Sequence, residues 1–316
     1  MRARNACLMA VLALALCACT RHSLTPKSGG RPYEVVVVDD IGNAVARELQ
    51  QPTVGLPQEE PQFDVRAIKG SQYNLAAQTA RSIVVTATDE RLTRTQIRYE
   101  RDAVARPQLI VYLTAPNTER LQQDAHMWGP QLRKLFNRHE RNIAISYLQE
   151  NRNTEAERRI DKMFGATMLV PADMQSWKEG KDFLWFSTNT VEDVRNICIY
   201  SIPRGRDFAD MRDSVMKVNL PGETNDMYVL TVRNSLNQEE RGERREERVS
   251  FGGMVWRGLW EMKNDAMGGP FVALLANDEQ HGRMLVAEAF VYAPETNKRN
   301  KMRLTEAALY TLRLNQ

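Results

Sequence analysis

Proton-transfer and metal chemistry have few side chains to draw on in this sequence. Its histidines are His22, His126, His139 and His281. His126 and His139 fall thirteen positions apart in a helical stretch, about 220° around its axis at 100° per residue, so they cannot share one ion. His139 sits on the apolar stripe between Phe136 and Ile143, where a satisfied boundary histidine is expected. No His-Glu-x-x-His, Cys-x-x-Cys or calcium-loop spacing occurs, and no nucleophile elbow, Ser-x-x-Lys or phosphate-binding loop. No metal and no cofactor is expected. The acid pairs Asp39-Asp40, Glu59-Glu60 and Glu239-Glu240 are sequence neighbours, and on a strand such neighbours point to opposite faces. They make poor acid/base couples. A hydrolytic centre would have to gather separated groups, for example His281, Glu261 and Arg257.

One aromatic pattern could hold a ligand. Strand alternation over 254–261 puts Trp256, Gly258 and Trp260 on one face. A glycine between two indoles leaves a flat slot able to stack a sugar ring or a peptide, with Arg257 beside it. The competing reading packs both indoles under the C-terminal helix.

The clearest chemistry belongs to a sulfur. Arg2 and Arg4 precede an apolar or small run from Ala6 to Ala18, the length of a signal-peptide core and too short to span a bilayer. The run ends Leu16-Cys17-Ala18-Cys19, which is similar to a lipobox: a branched residue, two small ones, then the thiol that receives diacylglycerol. Cutting before Cys17 would leave bulky Leu16 at the cleavage position, so Cys19 is the expected lipidation site. Residues 1–18 read as the leader and 19–31, rich in Ser, Thr, Gly, Pro and basic residues, as a flexible tether. No acidic residue follows Cys19 directly, whereas surface-exposed lipoproteins of the Bacteroidetes type are expected to carry some. The expected address is therefore the bacterial outer membrane, lipid-anchored and facing the periplasm. Once the leader is removed and Cys19 acylated, Cys198 is the remaining thiol, so no internal disulfide can form.

Composition agrees with a globular body. Of 316 residues, 42% are hydrophobic and 26% charged, and the mean hydropathy is −0.49. These values exclude a collagen, a coiled-coil rod, a mostly disordered chain and a multi-span membrane protein. The net charge of +3 gives no reason to expect a nucleic acid partner.

The run Glu34 to Asp39 is β-branched and predicts a strand buried on both faces. Asp40 is placed to cap a short helix with Ile41, Ala44, Val45 and Leu49 on one stripe. Further strands are predicted at 63–68, 82–86, 95–100 and 108–113. A long amphipathic helix carries Leu121, Ala125, Trp128, Leu132, Leu135, Phe136, Ile143 and Tyr147, with Gly129-Pro130 starting, kinking or breaking it. A second helix buries Ile160, Met163 and Phe164 and ends at Gly165. Strands follow at 167–170, 183–186 and 196–202, then a helix from Asp207 with Phe208, Met211, Val215 and Val218 inward. After a strand at 227–232, the charged run 238–248 reads as a solvated hairpin tip, and an antiparallel meander spans 250–262, 271–276 and 284–292. A C-terminal helix carries Met302, Thr305, Leu309 and Leu312 and packs back on the meander. The class is α+β, with mixed, largely antiparallel sheets, in a globular region over 32–316 that admits two similar lobes, about 32–165 and 166–316.

Several stretches carry a resemblance across nearly the whole mature chain. They are Gly30-Arg31-Pro32-Tyr33-Glu34-Val35, Gly55-Leu56-Pro57, Pro61-Gln62-Phe63-Asp64-Val65 and Phe164-Gly165, then Leu169-Val170-Pro171, Lys181-Asp182-Phe183-Leu184-Trp185, Gly258-Leu259-Trp260 and Gly269-Pro270-Phe271. Together they resemble a family of uncharacterised Bacteroidetes lipoproteins known as domain of unknown function 4837. The resemblance implies an envelope lipoprotein and brings no activity and no catalytic residue.

The expectation from sequence is thus a non-enzymatic binding or assembly module, held to the membrane through Cys19 and meeting an envelope protein or glycan. The alternative is an envelope hydrolase whose groups meet only in three dimensions.

Overall fold

The structure, a computed structural model, describes residues 25–188, 190, 193–224, 226–240 and 253–315. The leader, Cys19, the first part of the tether and the charged run beyond residue 240 lie outside the described residues.

Two sheets organise the chain. The first is built from β1 (Glu34–Val38), β2 (Asp64–Ile68), β3 (Ser82–Thr88), β4 (Gln96–Arg101) and β5 (Leu109–Ala115), in the order β2-β1-β3-β5-β4. All its pairings are parallel except that of edge strand β4 with β5. As expected, β1 is buried on both faces from Val35 to Val38. The helix α1 (Ala44–Leu49) links β1 to β2, and a single turn, α2 (Leu75–Gln78), links β2 to β3. Asp40 does cap α1, but from across an intervening turn: its carboxylate accepts from the N–H groups of Val45 (3.0 Å) and Ala46 (2.9 Å).

After β5 come α3 (Thr118–Gln123), α4 (Ala125–Glu150) and α5 (Thr154–Phe164). The break in the long helix falls at Asp124, and α4 continues through Pro130. Pro130 sits in the second turn, where it leaves only the His126 carbonyl without its helical donor. Trp128, Leu132 and Phe136 join the core of the first sheet, whereas Leu148 joins the core of the second. The expected stripe holds through Phe136 and then rotates: Tyr147 is 65% exposed and Leu148 takes its inward place. Gly165 ends α5 in the left-handed conformation, φ 62°, that the sequence assigned to it.

The short β6 (Ala166–Thr167) pairs with the terminal β14 (Arg313–Leu314). The second sheet holds β7 (Ser176–Gly180), β8 (Phe183–Ser187), β9 (Val194–Pro203), β10 (Val229–Glu240), β11 (Met254–Met262), β12 (Gly268–Asp278) and β13 (Arg283–Tyr292). Its order is β10-β11-β12-β13-β9-β8-β7, antiparallel throughout, and the expected meander is its centre. The two sheets therefore differ in strand direction. Helix α6 (Phe208–Asn219) covers one face of the second sheet, and α5 with α7 (Arg299–Leu309) covers the other.

One contact ties the halves together. The Glu60 carboxylate accepts from the backbone N–H groups of Lys298 (2.6 Å) and Arg299 (3.1 Å), so the first half caps the last helix. Within the first half, residues 26–29 of the expected 19–31 tether are pinned by backbone hydrogen bonds. Pro26 and Arg106, Ser28 and Arg106, and Gly29 with Thr79 and Arg81 share backbone hydrogen bonds of 2.8–3.0 Å.

Candidate functional site

The expected indole slot is filled. Trp256 and Trp260 do share the face of the second sheet that α6 covers, but Trp256 stacks on Phe208 at 5.4 Å and Trp260 meets Phe290 at 5.5 Å. A Cβ at Gly258 would lie 3.0 Å from the Phe271 ring, 3.1 Å from Leu236 and 3.2 Å from the Ser235 hydroxyl. The space that glycine leaves is used for close packing, beneath α6 and not beneath the C-terminal helix. Arg257 points the other way, toward α7, where it makes a bidentate pair with Glu306.

The groups named for a hydrolytic centre, His281, Glu261 and Arg257, are not brought together. Glu261 pairs with Gly268 at one end of β12, and His281 lies in the turn beyond Asp278 at the other. Ten strand residues, about 33 Å, separate those ends. His281 Nδ1 instead lies 2.9 Å from Asp278, whose carboxylate also accepts from Arg283. His139 is buried and satisfied: Nε2 lies 3.0 Å from the Arg81 carbonyl, and burial, with the cations Arg101 and Arg81 nearby, lowers its pKa to about 4. Cys198 is wholly buried in the second sheet, and that burial pushes its thiol pKa well up. Among the described residues no cluster of three or more His, Cys, Asp or Glu is set to hold a metal ion.

What the fold does build is a cleft of about 250 Å³ between the halves. Helix α4 gives one wall, with Lys134, Asn137, Arg138 and Arg141 at the i, i+3, i+4, i+7 spacing of a single face. Helix α7 gives the facing wall through Arg299, Met302, Arg303 and Glu306, extended by Tyr310. Arg257 and Val272, cross-strand partners on β11 and β12, form the floor. The 53–56 loop closes a side. Gly55 makes this closure possible: its φ of 79° is left-handed, and an added Cβ would sit 3.1 Å from the Arg257 Cβ.

Cations dominate the lining. Lys134, Arg138, Arg141, Arg257, Arg299 and Arg303 face one carboxylate, Glu306. Just outside, Asp64 pairs with Arg299 at 2.8 Å. Arg303 packs beside two adjacent rings, its guanidinium carbon 4.3 Å from the Tyr33 ring centroid and 5.5 Å from that of Phe63, and its Nη1 donates to the Gln62 carbonyl at 2.8 Å. Burial, reinforced by Arg299 and Arg257, lowers its pKa. Arg141 lies over the Tyr310 ring at 4.0 Å. Burial alone would raise the Glu306 pKa, yet Arg257, Arg141 and Arg303 hold it below the usual carboxylate value. The lining thus combines basic side chains with aromatic and aliphatic walls.

Of the ligand-binding candidates Trp256, Arg257 and Trp260, Arg257 alone lines this cleft. The other lining residues were missed because basic residues at helical spacing read as a solvated face. The available signal was that Arg299 and Arg303 flank Met302, an inward position of the last helix.

A family model described as Domain of unknown function (DUF4837) matches residues 153–311, and another, Domain of unknown function (DUF8532), matches residues 28–149. The border between them falls between α4 and α5. No curated protein matches the chain. Among solved structures, the Ran-binding protein Mog1p of Saccharomyces cerevisiae is 9% identical at a TM-score of 0.31, covering 48% of this chain and 91% of that one. Cyanobacterial PsbP (CyanoP) from Synechocystis is 13% identical at a TM-score of 0.30, covering 48% and 86%. Likeness at this level carries no functional argument.

Proposed function

Because the chain belongs to the family described as Domain of unknown function (DUF4837), we propose a role from its own leader and cleft: a binding module of the bacterial outer membrane, tethered by a lipid on Cys19 and facing the periplasm. The observation that carries binding is the cleft between the halves, lined by basic, aromatic and aliphatic side chains. The Leu16-Cys17-Ala18-Cys19 run supports the anchor, and the motif resemblance supports a Bacteroidetes envelope lipoprotein. Acyl chains on the Cys19 sulfur and amine contribute about 0.8 kcal/mol per buried CH₂, enough for a lasting hold when several chains insert.

The leash is short. Since Pro26 is already hydrogen-bonded to Arg106, residues 19–25 alone span from lipid to body, at most about 23 Å when extended. The body then stays close to the headgroups. Cys19→Ser in the native host is the test. The expected result is release of the protein from washed membranes, with an altered electrophoretic mobility. Unchanged fractionation and an unmodified amino terminus by mass spectrometry would reject the anchor.

A further inference from the structure

We propose that the end of the first sheet from which the chain leaves for its lipid is a membrane-contact face, with Leu75 entering the headgroup layer and Lys27 and Arg106 meeting anionic headgroups. The inference rests on the Cys19 anchor and adds to it which side of the body lies on the bilayer.

Reach decides which side that is. Residues 19–25 give a leash of at most about 23 Å before Pro26, which is hydrogen-bonded to Arg106. Crossing the headgroup layer uses roughly 5–7 Å of it. A compact body of about 285 residues is some 45–50 Å across. The leash is therefore shorter than the body is wide, and the end that carries Pro26 must face lipid.

Three segments meet there. Strands β1, β3 and β5 run parallel and all begin at this end. The Ser28 N–H donates to the Arg106 carbonyl and the Gly29 N–H to that of Thr79, which joins residues 27–29 to the 102–106 loop and to the end of α2. The buried Gln108 side chain locks this platform. Its amide donates to the Gln78 and Ala80 carbonyls at 2.7 and 2.8 Å and accepts from the Val104 N–H at 3.0 Å. Leu75 opens α2 one turn from Thr79 and is 71% exposed. Tyr73 and Val104 nearby are only half-buried, and Ala76 and Ala103 are exposed. A lone exposed leucine is ordinary. This one stands on a braced edge among apolar neighbours, at the end that the leash brings to lipid.

Charge agrees. Lys27, Arg101 and Arg106 are exposed at this end against Asp102, and between Cys19 and Glu34 the sequence holds Arg21, Lys27 and Arg31 but no acid. Arg106 pairs with Asp102 at 3.4 Å, with 70% of the arginine side chain open to water, a contact weak enough to yield to a lipid phosphate. Basic residues within a Debye length of anionic lipid, about 8 Å, are drawn to it. The orientation also spares the cleft. Tyr73 packs with Val36 and Ile83, whereas α4 packs with Val37 and Val84, and alternation puts those pairs on opposite faces of the sheet. A body lying on its α2 side keeps α4, and the cleft it lines, away from lipid.

The full-length protein is reconstituted into vesicles of phosphatidylethanolamine and phosphatidylglycerol. With the leader gone, Cys19 acylated and Cys198 buried, an introduced cysteine is the only reactive thiol. Nitroxide labels are placed through Leu75→Cys, Ala103→Cys and, on α6 over the second sheet, Val218→Cys. Their collisions with a water-soluble nickel chelate are read by paramagnetic resonance. Vesicles should lower nickel access about fivefold at 75 and to a lesser degree at 103, while leaving 218 unchanged. Adding Leu75→Glu should restore access at 103 without altering the melting curve. Vesicles of phosphatidylcholine alone should protect 103 less, and equal protection would overturn the headgroup contacts. Equal access at all three positions, in protein that floats with the vesicles, overturns the face and leaves the anchor standing. Protein that does not float overturns both. Protection at 75 that grows with the protein-to-lipid ratio identifies a second copy as the occupant and overturns lipid contact.

Discussion

His139 shows how one side chain makes stability depend on pH. Its ring is buried, and loss of solvent lowers its pKa from 6.5 to about 4 despite the opposing hydrogen bond to the Arg81 carbonyl. Between those values the unfolded chain binds the proton and the folded chain does not. Stability contributed by this group is therefore complete above pH 6.5 and is lost as pH falls toward 4, by at most about 3 kcal/mol. The neighbouring Glu140 works in the opposite sense, since burial raises its pKa and the folded state then binds the proton more readily. Comparison with His139→Gln isolates the histidine. Melting temperatures measured from pH 7 to 4 should fall more steeply in the parent than in the variant, and parallel curves would refute the assignment. The sequence marked His139 as a satisfied boundary residue; it is satisfied but lies deeper, fully among the buried residues. It gave no sign that Arg81, 58 residues away, would supply the partner, because the spacing of a stripe says which face is inward and not what lies opposite.

At the scale of elements, α6 is held by an ion pair the periodicity concealed. Its sequence put Val215 and Val218 inward, but Val218 is 76% exposed and the buried face runs through Phe208, Arg212 and Met216. Arg212, fully buried, donates from Nε and Nη2 to Glu288 on β13 at 2.7–3.1 Å and from Nη1 to Thr231 at 3.0 Å. The Tyr200 hydroxyl completes the shell with a 2.8 Å bond to Glu288. Removing one member strands the other charge in an apolar layer, so Arg212→Met should cost about 3–5 kcal/mol. Adding Glu288→Gln to that variant should recover part of the loss, as urea denaturation would measure. A loss below 1 kcal/mol would mean water reaches the pair. The strands were more legible than this helix face. β-branched runs and alternation located β1, β3, β5 and the meander, whereas β7, Ser-Trp-Lys-Glu-Gly on an edge, carries no apolar pattern to find.

Across the whole molecule, the halves meet through the 60–64 segment and the last helix. Glu60 caps α7, Asp64 pairs with Arg299, and the Gln62 carbonyl receives Arg303, so the contacts that close the cleft also fix its two walls. Glu60→Ala should destabilise the protein by about 1 kcal/mol, the usual effect of an absent cap, and should raise hydrogen exchange at the start of α7. Exchange unchanged there would show that the helix end needs no help from the first half. The sequence could not announce this contact, because capping boxes are read over three or four residues and this one spans 238.

That distance has a consequence in time. At 5–20 residues per second, about 12–48 s pass at the ribosome between the making of residue 60 and of its partner at 298. Throughout that interval the carboxylate has no helix end to receive, and the wall that α7 will form does not yet exist. The cleft is therefore a clasp that can be fastened only after residue 298 has left the ribosome.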